Sequence, residues 1–324
     1  MRAFITGASG FVGSHLAARL VRDGWSVGAL VHHKPIEAGG AGLELFEGDI
    51  RDGARLAGAM KGADVLFHLA SALGAARLGE EEFRAINAGG TRAALSAARE
   101  AGVKRVVHFS SAGVLGHVAE ARAAAEDHAL DPRDAYDRTK LEGEKIALEF
   151  AGGGADVVVI RPGWVYGPGD RRTLKLFRAA ARRRVPVVGR GRTLQTPVYI
   201  DDLIDGTLRA SERGRAGEIY NLAGPEVLSV REIVAIAAAA AGAKPIPFGL
   251  PTIPTRAAAW ALGRAFGAVG CEAPLNPSRL AFFVHPKPLD IRKAAAELGY
   301  APSWDFKRGA ATTVAWYRAQ GWMK

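Results

Sequence analysis

Cysteine is almost missing from this sequence. Cys271 stands alone among 324 residues, which excludes an internal disulfide and makes a reducing compartment, the cytoplasm, the expected setting. Long apolar runs are missing too. Ile233–Gly242 and Ala257–Leu262 are the longest, well short of the roughly 20 residues that cross a bilayer, so no membrane insertion is expected. Met1 runs straight into Arg-Ala-Phe-Ile-Thr with no cleavable apolar region, and no internal repeat is evident. The formal charge of +10 raises nucleic acid, an anionic membrane surface or an anionic small molecule as partners. Yet the only tight basic clusters are Arg171-Arg172 and Arg182-Arg183-Arg184, with no aromatic stacking platform beside them, so nucleic-acid binding is not expected. No metal site is expected either.

What is present is ordinary globular composition, 48% hydrophobic and 23% charged, on a chain long enough for one large domain with a smaller companion. Apolar runs at Arg2–Thr6, Ser26–Val31, Leu43–Glu47, Val65–Leu69, Arg105–Ser110 and Asp156–Arg161 read as strands, each followed by room for a crossover helix. Little polar alternation within them suits strands covered on both faces. The succession predicts an α/β, Rossmann-type, doubly wound parallel sheet. Helices are placed at Phe11–Asp23, Glu81–Ala101, Tyr136–Phe150, Asp202–Arg213, Ser229–Ala241 and Ile291–Leu298, with Ser229 and Glu232 at capping-box spacing. Strict alternation ends near residue 165. Residues 1–165 are therefore expected to form the dinucleotide-binding domain, joined again by segments around 195–225, and 166–324 mainly a smaller, discontinuous substrate-binding domain.

Thr6-Gly7-Ala8-Ser9-Gly10-Phe11-Val12-Gly13 closes the first strand and opens the first helix. Gly7 permits the tight turn, Gly10 lets backbone N–H groups approach a pyrophosphate, and Gly13 lets helix and strand pack closely. An NAD site usually carries a carboxylate at the end of the second strand to bond the ribose 2′-hydroxyl. Here Leu30-Val31-His32-His33-Lys34 offers none, and His32 and Lys34 suit a 2′-phosphate, so NADP(H) is favoured over NAD(H). In Gly48-Asp49-Ile50, Asp49 can bond the adenine amino group; a cap for a helix from Asp52 is the alternative.

Tyr136 and Lys140 stand four residues apart, which puts a phenol and an ammonium on one helix face, where a cation favours the phenolate. Ser111, in Phe109-Ser110-Ser111-Ala112-Gly113 at the carboxyl end of the fifth strand, can hydrogen-bond a reacting carbonyl; Ser110 is the competing choice. Together with Gly48-Asp49, His68-Leu69-Ala70, Asn87…Gly90-Thr91, Arg161-Pro162-Gly163-Trp164-Val165-Tyr166-Gly167-Pro168, Tyr199-Ile200-Asp201-Asp202 and Asp290…Pro302, these motifs resemble the extended short-chain dehydrogenase/reductase family over nearly the whole chain. The resemblance implies an NAD(P)-dependent enzyme acting on CH–OH groups, with Ser111, Tyr136 and Lys140 as catalytic set and Asn87 structural. His68 and His108 are expected to be satisfied core histidines. It implies a cofactor site built on Gly7, Ser9, Gly10, Phe11, Val12 and Gly13, then on His32, Lys34, Asp49 and Ile50. Leu69, Ala70 and Ser71, and Pro162, Gly163 and Val165, complete it beside Tyr136 and Lys140, and a homodimer through the Glu81–Ala101 and Tyr136–Phe150 helices is also implied.

The family divides between nucleotide-sugar epimerases or dehydratases and reductases of less polar ketones, such as dihydroflavonol reductases and 3β-hydroxysteroid dehydrogenases. Sugar-nucleotide members resembling this chain carry an arginine ahead of the Val-Tyr-Ile-Asp-Asp segment for the diphosphate. Gln195 stands there instead, and Phe283-Val284-His285-Pro286-Lys287-Pro288 lacks a second expected arginine. Leu250–Val284 is rich in Trp260, Leu262, Phe266, Leu280, Phe282 and Phe283, which suits an apolar pocket or ordinary packing. Ser111, Trp164, Tyr166 and Gln195 are thus the expected substrate contacts of a hydrophobic-ketone reductase. A nucleotide-sugar epimerase or dehydratase is the runner-up, and a cofactor-sensing protein without chemistry the third reading.

Overall fold

The computed structural model describes residues 1–32, 42–73, 78–119, 123–182, 185–244, 248–268, 275 and 277–323. Six strands come in the expected order: β1 (Arg2–Thr6), β2 (Ser26–Val31), β3 (Leu43–Glu47), β4 (Val65–His68), β5 (Arg105–Phe109) and β6 (Val157–Pro162). Between them run α1 (Phe11–Arg22), α2 (Gly53–Ala59), α3 (Glu80–Arg84), α4 (Gly90–Glu100) and α5 (Ala135–Gly152). Next come β7 (Trp164–Tyr166), α6 (Leu174–Ala181), β8 (Pro186–Val188), β9 (Leu194–Gln195), β10 (Pro197–Tyr199), α7 (Ile200–Arg213) and β11 (Ile219–Leu222). The chain ends with β12 (Leu228–Ser229), α8 (Val230–Ala240), β13 (Phe248–Leu250), α9 (Thr252–Ala268), α10 (Pro277–Val284), α11 (Arg292–Leu298) and α12 (Phe306–Ala319).

The main sheet has seven strands in the order β11-β6-β5-β4-β1-β2-β3, all parallel. This is the doubly wound Rossmann-type arrangement, with β11 added beyond β6. Side chains alternate between two cores: Ile5, Phe67, Val107 and Ile160 enter one, and Phe4, Leu66, Val106 and Val159 enter the other. Both faces are covered, which is why these strands read as apolar runs without polar alternation. No described helix is long and apolar enough to cross a membrane.

Local chemistry explains most boundaries. Ser229 and Glu232 form the expected capping box on α8. Asp52 caps α2, its carboxylate accepting from the Arg55 N–H. The helix expected over Glu81–Ala101 is interrupted by a π turn at Ala85–Gly89 between α3 and α4. That turn delivers Asn87 inward, a common use of such insertions. Helices α6 and α12 lie where no helix was expected.

One buried ion pair joins α5 to β6. Arg161 donates to Glu144 from Nε (2.9 Å) and Nη2 (2.6 Å), and from Nη1 to the Glu126 carbonyl (2.8 Å). Both side chains are almost fully enclosed, at 1% and 2% exposure. An unmatched charge there is expensive. Arg161→Leu is expected to lower unfolding free energy by about 3–5 kcal/mol, and Arg161→Leu with Glu144→Leu to recover much of it, as read by denaturant titration.

Candidate active site

Because all seven strands are parallel, their carboxyl ends share one edge of the sheet, and that edge gathers nearly every expected residue. The glycine-rich turn leaves β1 with Gly7 at φ +76°, and a Cβ on Gly7 would lie 2.7 Å from the Ala70 nitrogen. A Cβ on Gly13 would lie 2.2 Å from the Gly7 carbonyl oxygen. The turn is therefore pressed between β4 and α1 in a form only glycine allows. Gly10 caps α1 without a side-chain hydrogen bond, and the first turn has no acidic residue, which leaves its N–H groups and positive end open to an anion. The cradle fits a dinucleotide pyrophosphate. Ser9, Phe11 and Val12 belong to the same turn, and Phe11 stacks edge-on against His15, whose Nε2 meets the Pro168 carbonyl oxygen at 2.9 Å.

Leu69, Ala70 and Ser71 leave β4 beside this turn, with Leu69 N–H bonded to the Thr6 carbonyl. Asn87 accepts from the Ala72 N–H (2.7 Å) and the Ser71 hydroxyl (3.1 Å) and donates to Thr139 Oγ1 (2.9 Å). It thereby ties the β4 exit to α5, the structural part expected of it. Pro162 and Gly163 occupy the β6 exit, where a Cβ on Gly163 would lie 2.5 Å from the Thr196 carbonyl oxygen. Val165 is buried in β7.

At the β2 and β3 exits the outcome is mixed. His32 is exposed, with Nε2 3.6 Å from Asp49; Lys34 lies outside the described residues. Asp49 is engaged by Arg51, which donates from its backbone (2.9 Å), Nε (2.8 Å) and Nη2 (2.5 Å). These bonds hold the Asp49 carboxyl down at about 2. The expected adenine contact is thus a carboxylate already turned to its own neighbour, with Ile50 buried behind it against Gly90. Arg51 was not anticipated; its place two residues beyond Asp49, at Asx-turn spacing, is the signal that could have found it.

The catalytic candidates converge. Asp134 caps α5, accepting from the Asp137 N–H at 2.8 Å, which sets Tyr136 in the first turn and Lys140 one turn on. Ser111 starts a short turn in which its Oγ accepts from the Gly113 N–H (3.0 Å), and its hydroxyl is within hydrogen-bonding reach of the Tyr136 phenol. Ser110 points elsewhere, donating to Glu144 Oε2 at 2.6 Å in the buried pair. The two serines thus have separate partners, Ser110 in the buried ion pair and Ser111 in the turn after β5. Lys140 is buried and donates to the Phe109 carbonyl at 2.5 Å.

Charge at this site departs from the simple expectation. Burial, then the neighbouring Asp137, push the Tyr136 phenol up to about 12, and the leading cation acting against them is Arg172 rather than Lys140. Lys140 is itself lowered to about 8 by burial, offset in part by Glu144. Tyr136 is therefore a protonated donor in this state. His68 is satisfied between Thr6 Oγ1 (2.7 Å) and Thr91 Oγ1 (3.0 Å), as expected. His108 is not: it stacks on His68 at 5.3 Å, fully buried, with neither ring nitrogen hydrogen-bonded. Burial and the nearby Lys140 charge keep both rings neutral.

Two expected substrate contacts are placed differently. Tyr166 is 1% exposed, its ring packed against Tyr199 and Phe306, and a Cβ on Gly309 would lie 2.1 Å from its hydroxyl. It is a core residue: Trp164 and Tyr166 share one face of β7, their rings stacked 5.9 Å apart, and Tyr166 lies at the buried end while Trp164 stays partly open. Gln195 is also buried, and its Nε2 donates to the carbonyls of Phe282 and His285, both at 2.9 Å. Thr193 donates to the Phe283 carbonyl at 2.6 Å. These two side chains latch the end of α10, and the latch sets Phe282 against Trp164 with ring centroids 4.8 Å apart.

A dinucleotide cradle and a Ser/Tyr/Lys set on one sheet edge define a nicotinamide-dependent Rossmann enzyme. Residues 3–223 match the model of the NAD dependent epimerase/dehydratase family, and the chain belongs to that family, an NAD(P)-dependent oxidoreductase acting on CH–OH groups. It is 33% identical over 308 residues to a 4-hydroxy-2-methyl-3-oxo-4-farnesyl-3,4-dihydroquinoline-1-oxide ketoreductase of Stigmatella aurantiaca, covering 93% of this chain and 92% of that one. It is 29% identical over 347 residues to a dTDP-glucose 4,6-dehydratase of Actinoplanes sp., covering 98% of both. Among solved structures it resembles the dTDP-glucose 4,6-dehydratase DesIV of Streptomyces venezuelae with NAD and TYD bound, at TM-score 0.81 and 28% identity, covering 100% of this chain and 99% of that chain.

The buried ammonium has a measurable cost. Unfolded, Lys140 titrates near 10.5; folded, near 8, so the penalty is complete below pH 8 and fades as pH rises to 10.5. That gap corresponds to about 3 kcal/mol, against about 1 kcal/mol for the lost bond to Phe109. Lys140→Met is expected to melt higher than the parent at pH 7, with the difference shrinking toward pH 10.5 in a thermal-melt series.

Proposed function

We propose that this protein is an NADP(H)-dependent reductase/dehydrogenase that interconverts a ketone and a secondary alcohol on a hydrophobic or aromatic small molecule. One observation carries this reading. Gln195 stands where a sugar-nucleotide enzyme needs a cation, and its amide is spent on holding α10, so the wall it builds is the aromatic pair Trp164 and Phe282. A diphosphate would meet rings there; a flat apolar body would stack on them. The ketoreductase relative, whose name specifies a farnesyl-bearing substrate, supports the same direction.

When bound, the nicotinamide supplies the hydride in reduction and accepts it in oxidation. The chain's own residues handle the oxygen. Ser111 donates a hydrogen bond to the carbonyl oxygen, and Tyr136, protonated at neutral pH, delivers its phenolic proton to that oxygen as it becomes negative. Lys140 holds the nicotinamide ribose and, when charged, favours the phenolate left behind. Gly7, Gly10 and Gly13 with the α1 amino end bind the pyrophosphate, and Leu69, Ala70, Pro162, Gly163 and Val165 flank the dinucleotide. His32 and Arg51 support a 2′-phosphate, since Asp49, the nearby carboxylate, is already neutralised by Arg51. In this reading residues 1–165 with about 195–225 hold the cofactor, the remainder holds the substrate, and α4 and α5 form a homodimer surface.

Absorbance decides between the readings. NADPH is expected to be consumed with a member of an apolar and aromatic ketone panel, faster than NADH. Conversion of UDP-, GDP- or dTDP-sugars by tightly held NAD, with no net absorbance change and no ketone reduced, would make the chain an epimerase or dehydratase instead. Tyr136→Phe is expected to cut turnover about 100-fold or more while leaving cofactor affinity unchanged, and an unchanged biological output would point to a sensor.

Gln195→Leu tests the aromatic wall. Freed from the latch, α10 no longer fixes Phe282, and the expected effect is a KM about 10-fold higher for apolar ketones with kcat much less affected.

A further inference from the structure

Helix α9 presents two large apolar residues, Ile253 and Trp260, to solvent. Thr255 and Ala259 face inward, and Ala259 packs with Val188 and Leu280. The opposite face carries Ile253, Ala257, Trp260, Ala261 and Arg264, spaced so that they form one stripe. Ile253 is 82% exposed and Trp260 61% exposed. An ordinary surface helix shows acids and bases on that side. Here there is no acid at all: from Ile233 to Cys271 the sequence contains neither aspartate nor glutamate, while Lys244, Arg256 and Arg264 are basic. Arg264 sits over the Trp260 ring at 5.3 Å.

We infer that α9 is an in-plane surface helix that docks this protein on an anionic phospholipid bilayer. The charge pattern selects that occupant. A second copy seated on the same face would bring Arg256 and Arg264 against their own counterparts with no carboxylate to pair with, whereas lipid phosphates and acidic headgroups supply the missing charge. The 17 residues of α9 extend ~25 Å, enough to lie along a headgroup layer. Trp260 has an apolar body and one N–H donor, the combination suited to the boundary between acyl chains and water, and Ile253 inserts about two turns away on the same face. The arginines reach outward to headgroups from a stem that lies on the apolar face. The net charge of +10 adds long-range attraction to a negative surface. Docking does not depend on which ketone or sugar the enzyme converts.

Vesicle flotation of the full-length protein tests this. Binding is expected to vesicles of phosphatidylcholine with phosphatidylglycerol, to fall sharply with added salt, and to be weak with phosphatidylcholine alone. Ile253→Ser with Trp260→Ser is expected to lower partitioning at least ~10-fold, and Arg256→Gln with Arg264→Gln to lower it comparably. Tryptophan emission should shift blue on binding, and Trp260→Phe should bind yet lose most of that shift, a readout that holds even if a serine variant folds poorly. Absence of flotation with the anionic vesicles overturns the inference, as does flotation unchanged by both double variants. So does loss of a dimer in vesicle-free sedimentation of the Ile253→Ser, Trp260→Ser protein, which would assign the face to a second copy.

Discussion

Helix α5 carries Tyr136, Lys140 and Glu144 at successive steps of four, so the stripe it buries against the sheet is polar where a helix normally buries aliphatic side chains. That stripe survives because each group finds a partner at the carboxyl ends of β5 and β6: Lys140 at the Phe109 carbonyl, and Glu144 at Arg161 and Ser110. The consequence is positional. Ser110 is drawn into the buried pair, which turns the next residue, Ser111, toward the Tyr136 phenol. The buried ion pair and the placement of the two serines are thus built by the same few residues.

The same economy governs the surroundings. Close backbone approach, not side-chain chemistry, shapes the cofactor cradle. Gly113 shows the requirement at the catalytic end, since a Cβ there would lie in the Asp137 carboxylate, and Asp137 in turn meets Lys287 from the chain's last third at 3.6 Å. Burial dominates the electrostatics: it raises Tyr136, lowers Lys140 and keeps His68 and His108 neutral. A phenol beside an ammonium in sequence is not yet an activated phenol. The ammonium must also point at it, and here it points at a carbonyl.

Gln195 acts on its surroundings through α10. The amide ends at the last carbonyls of α10, groups a helix always leaves without an internal partner, and the bond moves two phenylalanines rather than touching a ligand. The wall at Trp164 therefore belongs to β9 and α10 together.

The strands, the glycine turn, the Tyr136 and Lys140 helix spacing and the capping box of α8 were legible in the sequence, because each rests on neighbours within one strand, one turn or one strand-to-helix junction. Sequence order also identified the family. Helices α6 and α12, the burial of Tyr166, the Arg51 grip on Asp49 and the latch at Gln195 were not, and neither was the unpaired state of His108. Those outcomes depend on which side chain reaches a carbonyl or carboxylate many residues away, and reach is a property of packed geometry. Residue types and local spacing determined the family and most of the elements; the tertiary structure decided that Ser110 rather than Ser111 enters the buried ion pair, how deep Tyr166 lies and where the buried charges point, because a buried polar group takes the partner that packing puts within hydrogen-bond distance.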